Sequence, residues 1–246
     1  MAYLLYAFSM GFVIPFVARR LGKILPATTG SILFQLCHFH RPPNPHNPIQ
    51  TANLKRKWIF LILNACLWGL ICMGCCWIAR TYIPKSLFVY ACCFIWLNLC
   101  AIETDRRHLL LPDSLTIPLL MFGFLYATQT NALSPLQSVI GALFAYVVTL
   151  VSVFVVSFSK YNLFGGGDTK YAIALGAWLG LQGLNYAIFL SFFLFFLDSL
   201  FRRKKMGPYG PALGTAALIC FFILYAKLYW TEHKKKDIMQ QKQKER

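Results

Sequence analysis

Eight acidic residues face 24 lysines and arginines in this chain of 246. Chemistry that needs two carboxylates therefore has few pairs to draw on. Glu232, Asp237 and Glu245 fall in a polar C-terminal stretch, which leaves Glu103, Asp105, Asp113, Asp168 and Asp198. Two of these stand out by context. Asp168 closes the run Gly165-Gly166-Gly167-Asp168 between two apolar stretches, so a carboxylate meets a membrane boundary on a backbone free to turn and to pack closely. Asp105 lies 63 residues earlier, at the polar end of another apolar segment. If the helices that carry them pack together, both carboxylates face one water. Two such charges do not coexist comfortably, and the pair then holds a single shared proton near neutral pH. The ionised member takes a proton from the water, while the protonated member polarises a carbonyl and later donates to a leaving amine. That is aspartic peptidase chemistry, and it requires neither a metal nor a soluble cofactor.

Each residue also has a plainer explanation. Asp105, followed by Arg106 and Arg107, is compatible with a salt-bridged helix end, and Asp168 with a cap on the helix that begins near Thr169. Capping does not account for three preceding glycines. Asp113 competes with Asp105 as the partner, but its place after Pro112 suits capping of the next helix. Lys170 is read as snorkelling to the interface rather than pairing with Asp168. Asp198, near Arg202-Arg203-Lys204-Lys205, is read as capping, solvated or paired with that basic cluster.

The elements that must position these residues are transmembrane helices. The chain is 58% hydrophobic and 13% charged, against about 25% charged for soluble domains. Apolar runs at residues 3–18, 58–78, 87–102, 115–127, 137–158, 171–181, 184–201 and 212–229 predict an all-α, polytopic membrane helical bundle of about eight spans. The sixth run is short for a full crossing. The net charge of +16 could suggest nucleic acid, but basic loops between apolar segments set topology and meet anionic lipid head groups. No nucleic-acid partner is expected. Eight of the nine cysteines lie within apolar runs, where thiols act as small hydrophobes, and Cys72-Met73-Gly74-Cys75 lacks a second pair. Between residues 19 and 57 a proline-rich basic loop holds Cys37, His38, His40 and His46, whose spacing fits no standard zinc finger. The organisation expected is a first span and basic loop over 1–57, a membrane core over 58–230 and a basic polar tail over 231–246. Eight crossings place that tail opposite the carboxylates, against the positive-inside tendency.

Residues 103–120, ETDRRHLLLPDSLTIPLL, together with 163–180, LFGGGDTKYAIALGAWLG, closely resemble the type IV prepilin leader peptidases, membrane aspartic proteases of the G-x-G-D class. In that family one catalytic Asp precedes a Pro-Asp pair by seven residues and the other closes G-x-G-D; the resemblance puts these roles on Asp105 and Asp168. MGPYGPALG at 206–214 is similar to a further family segment, and Gly11 with Arg20-Leu21 to its amino-terminal motif. The resemblance implies a multi-pass enzyme of the bacterial inner membrane, its active site facing the cytoplasm. Such enzymes remove short basic leaders from prepilins or pseudopilins after a glycine. Many relatives also methylate the new amino terminus with S-adenosylmethionine, using a loop that carries two C-x-x-C pairs. This chain has Cys37 but no such tetrad, and Pro15-Phe16 replaces the family's Asn-Val. No metal or cofactor is therefore expected, and no methylation. The competing readings are a non-enzymatic membrane component of pilus or secretion machinery and a proton-coupled carrier. A scaffold has no need of both aspartates, and a carrier would show mid-membrane acids and an internal repeat. Substrate identity and oligomeric state are not legible.

Overall fold

The computed structural model describes residues 2–24, 48–130, 132–157, 166–202 and 208–244. Among them are seven helices: α1 Ala2–Ile24, α2 Pro48–Tyr82, α3 Phe88–His108, α4 Asp113–Gln129, α5 Pro135–Ser157, α6 Gly166–Arg202 and α7 Gly210–Lys244. Six of these are long and apolar enough to cross a membrane, so this is an integral membrane protein. The eight expected crossings become six candidates for two reasons. With 17 residues α4 is short, and the sixth and seventh expected spans form the single helix α6. That helix is broken at Gly180, whose φ of 64° and ψ of −176° belong to glycine alone.

Contacts show which way each half of α6 runs. Its first turns meet the start of α4, where Lys170 pairs with Asp113 and Gly167 packs on Leu111. Gly180 packs beside Leu133 and Gln137, beyond the far end of α4. The chain then comes back, because Ser191 meets Tyr209 next to the start of α7. The two halves of α6 are thus antiparallel, a helical hairpin with Gly180 at its tip. Counted this way, the described chain runs up and down in eight helical segments.

A membrane removes most of the hydrophobic drive between helices, so close packing must hold them. Gly141 of α5 and Gly176 of α6 lie in direct backbone contact, with no room for a Cβ on either. At the centre, Trp178 stacks on Tyr126 at 4.9 Å and meets Phe94 at 4.8 Å, while Phe94 meets Phe221 at 4.6 Å. These four rings join α3, α4, α6 and α7 and are fully buried. The indole N–H of Trp178 donates to the Leu119 carbonyl at 2.7 Å, as a buried donor requires. Such a Trp-centred core sets the mutual rotation of the four helices that carry the acids and their immediate surroundings.

Helix α2 begins at Pro48, inside the stretch expected to be loop, and α7 continues as helix to Lys244 through the stretch expected to be a separate tail. Lysine, glutamine and glutamate are good helix formers, so an established apolar helix propagates into a polar sequence without new nucleation. Cys37, His38, His40, His46 and Gly165 lie outside the described residues.

Candidate active site

Helix α3 ends in Glu103-Thr104-Asp105-Arg106-Arg107-His108. Two positions apart on a helix means about 200° of rotation, so Glu103 and Asp105 look in different directions. Glu103 is fully buried toward α2, where Asn64 donates to it at 2.8 Å. Arg106 and Arg107 reach back to the same carboxylate at 2.7 and 2.5 Å. Three donors on one buried acid make Glu103 a structural ion-pair centre.

Asp105 faces α7 instead and is 5% exposed. Its Oδ2 accepts the Gly210 backbone N–H at 3.0 Å, at the first residue of α7. A Cβ on residue 210 would lie 2.5 Å from that oxygen; glycine is what allows the approach. The amide also belongs to the positive end of a helix, which suits a carboxylate. Asp168 is the third residue of α6, within its first turn rather than ahead of it, and is partly exposed. The structure brings Asp105 and Asp168 to the same end of the bundle, close enough to feel each other's charge. Gly167 helps, since a Cβ there would meet the Leu111 backbone oxygen at 3.0 Å.

The other acids separate from this pair. Asp113 opens α4 without a side-chain cap bond, because Pro112 occupies the N-cap. Its carboxylate is held by Lys170 at 2.7 and 2.8 Å. Lys170, half exposed at the helix end, reaches across from α6 and ties the starts of α4 and α6 together, a pairing that the sequence reading did not include. Asp198 lies on the wall of a cavity of about 230 Å³ that also touches Arg106, Phe195, Pro208 and Pro211. Pro208 and Pro211 of its wall flank the turn that carries Gly210. A larger apolar cavity, about 470 Å³, opens among Tyr3, Met10, Cys76, Cys92 and Trp96 at the opposite end of the bundle, remote from both aspartates.

Tyr209 precedes the Gly210 turn, and its hydroxyl lies 2.6 Å from Ser191 Oγ on the returning half of α6. Burial pushes its phenol above the ordinary value; the Ser191 hydrogen bond opposes this, and the negative charge of Asp168 adds to it. It stays a neutral hydroxyl at physiological pH. Sequence reasoning singled out the glycine–proline segment around Tyr209 but assigned none of its residues to the acids. It also gave no role to Asn98, Tyr171 and Gly214, which lie one tier deeper. The available signal was a lone amide, Asn98, in a strongly apolar run.

With this geometry in hand, residues 91–200 match the model of the type IV leader peptidase family. A prepilin leader peptidase/N-methyltransferase of Vibrio cholerae is 32% identical over 152 residues, 59% of this chain and 59% of that protein. The similarly named protein of Neisseria gonorrhoeae is 32% identical over 180 residues, 70% of this chain and 59% of its own length. That of Dichelobacter nodosus is 34% identical over 150 residues, 56% of this chain and 49% of the relative. The chain thus spans about half to three fifths of the curated relatives it matches. No solved structure matches it.

Proposed function

We propose that this chain is a prepilin leader peptidase with Asp105 and Asp168 as its catalytic pair, a reading supported by the match of residues 91–200 to the type IV leader peptidase family. One carboxylate takes a proton from a water held between them, and the resulting hydroxide attacks the scissile carbonyl. The other, protonated, hydrogen-bonds the carbonyl oxygen as charge develops there, and a proton then passes to the departing amine. The Gly210 amide holds one Asp105 oxygen in place, so the carboxylate does not have to be ordered at the moment of reaction. The observation that supports this reading is that Asp105, held by the Gly210 amide, and Asp168, in the first turn of α6, lie at one end of the bundle within electrostatic reach of each other.

Arg106, Arg107 and Lys170 cluster at that end, and positive residues favour the cytoplasmic side. The proposal accordingly places the site at the cytoplasmic face of a bacterial inner membrane, cutting basic leaders of prepilins or pseudopilins after glycine. Methylation is not part of it. Residues 19–57 contain one cysteine, and one thiolate cannot supply a four-cysteine zinc site of the kind the resemblance associates with that activity.

The test is cleavage of candidate prepilins by the full chain in detergent, beside Asp105→Asn and Asp168→Asn, with product masses recorded in the presence of S-adenosylmethionine. Each variant is expected to lose at least about 10³-fold in rate, because half of the proton relay is gone, while remaining folded. Ordinary cleavage by either variant removes that aspartate from the mechanism, and a product heavier by one methyl group restores the second activity. Failure of the wild-type chain on every candidate would favour a non-enzymatic assembly component.

A further inference from the structure

Below the carboxylates, the same three helices meet a second time. Tyr171 follows Asp168 by three residues on α6, Asn98 precedes Asp105 by seven on α3, and Gly214 follows Gly210 by four on α7. Spacings of three, four and seven return to the same helix face. The second tier therefore lies directly beneath the first. Tyr171 and Asn98 are both fully buried. The Tyr171 hydroxyl donates to Asn98 Oδ1, and Asn98 Nδ2 donates to the Gly214 carbonyl at 3.0 Å. Because that carbonyl only accepts, the amide nitrogen must face α7 and the amide oxygen must face Tyr171. A Cβ on residue 214 would collide with the Tyr171 hydroxyl and stand 2.6 Å from Ile102, so the chain of bonds depends on close approach of α7.

A buried polar chain is costly unless complete, and apolar side chains at 98 and 171 would join the helices at less risk. What it adds is discrete geometry. A slip of one helix along another leaves an amide or hydroxyl unpaired, whereas apolar surfaces tolerate small slips. The Tyr171 hydroxyl also lies within electrostatic reach of both Asp105 and Asp168.

We infer that Tyr171 and Asn98 are positioning residues, which lock the relative height and rotation of α3, α6 and α7 and so set the spacing of the Asp105–Asp168 pair. The inference rests on the peptidase reading above. Two acids acting through one water need a fixed separation, and a misplacement of about 1 Å can cost about 100-fold in rate.

The experiment uses the full chain in detergent, with a cleavable prepilin as substrate. Tyr171→Phe removes one oxygen and keeps the ring, and Asn98→Leu removes the amide while keeping the same branching and number of side-chain heavy atoms. Each is expected to lower kcat by about 10- to 100-fold with KM changed by less than about twofold. The double variant is expected to be no worse than the poorer single, because both cut the same chain of hydrogen bonds. Wild-type kcat per folded molecule in Tyr171→Phe, even with a lowered melting temperature, would reduce the pair to a packing role and overturn the inference. A second readout is independent of substrate: the infrared carboxyl stretch that disappears in Asp105→Asn or Asp168→Asn is expected to be displaced in Tyr171→Phe, and an unmoved band overturns the inference. Should the wild-type chain cleave no prepilin, the peptidase reading falls, and the infrared arm still decides whether Tyr171 sets the environment of the aspartates.

Discussion

Glu103 and Asp105 sit two positions apart on one helix and have different surroundings. Glu103 is enclosed by Asn64, Arg106 and Arg107, so replacing it with glutamine leaves two guanidinium groups without their counter-charge. Arg106 and Arg107 are partly solvated, with side chains 38% and 22% exposed, which puts the expected loss at or below about 3 kcal/mol, the lower end for breaking a buried pair. Glu103→Gln is thus expected to lower thermal stability while changing the rate of leader cleavage by only a few-fold; a loss as large as that of Asp105→Asn would make Glu103 part of the mechanism. The Asp113–Lys170 pair is a useful contrast. It is 39% and 53% exposed, and water screens it, so Lys170→Met is expected to cost no more than about 1 kcal/mol, read as a small shift in melting temperature. The charge pattern Glu103-Thr104-Asp105-Arg106-Arg107 already showed that acids and bases would compete at this end of α3. The arginines choose Glu103 because it stands three and four positions before them on the same helix face, whereas Asp105 is one and two positions away; only the added bond from Asn64, 39 residues away, lay beyond local spacing.

At the scale of elements, the decisive feature is the turn at Gly180. The run of 171–181 looked too short for a full crossing, and the fold resolves this by making it the first arm of a hairpin, sheltered by α4, α5 and α7. That arm carries Asp168 and Tyr171; the returning arm brings Ser191 to Tyr209. Gly180→Ala is expected to destabilise by at least about 1–3 kcal/mol, since φ of 64° is strained for any L side chain, and more because the new Cβ would stand 2.6 Å from Leu133. Leader cleavage should fall with it, as both arms border the acids. Thermal unfolding in detergent of Gly180→Ala against wild type checks this, and an unchanged midpoint would mean that the turn relaxes into ordinary helix without cost.

For the whole molecule, the described segments alternate in direction, so the short connection near Ser86 and the turn near Ser114 lie at opposite ends of the bundle. On a background stripped of its native cysteines, Ser86→Cys is expected to react with a membrane-impermeant maleimide on intact cells, and Ser114→Cys only after permeabilisation. The reverse pattern would put the aspartates outside. The membrane class and most of the helical runs were legible from sequence by itself, and so were Asp105 and Asp168 as the candidates to examine, because hydropathy, glycine runs and scarce carboxylates are local properties of the chain. The relation of Lys170 to Asp113, the Gly210 amide on Asp105 and the Tyr171–Asn98–Gly214 tier were not. Each joins residues dozens to more than a hundred positions apart, through helices whose mutual rotation is set by ring packing around Trp178 and by the Gly141–Gly176 contact. Local chemistry determined which groups could react; only the packing of the helices decided which of them would meet.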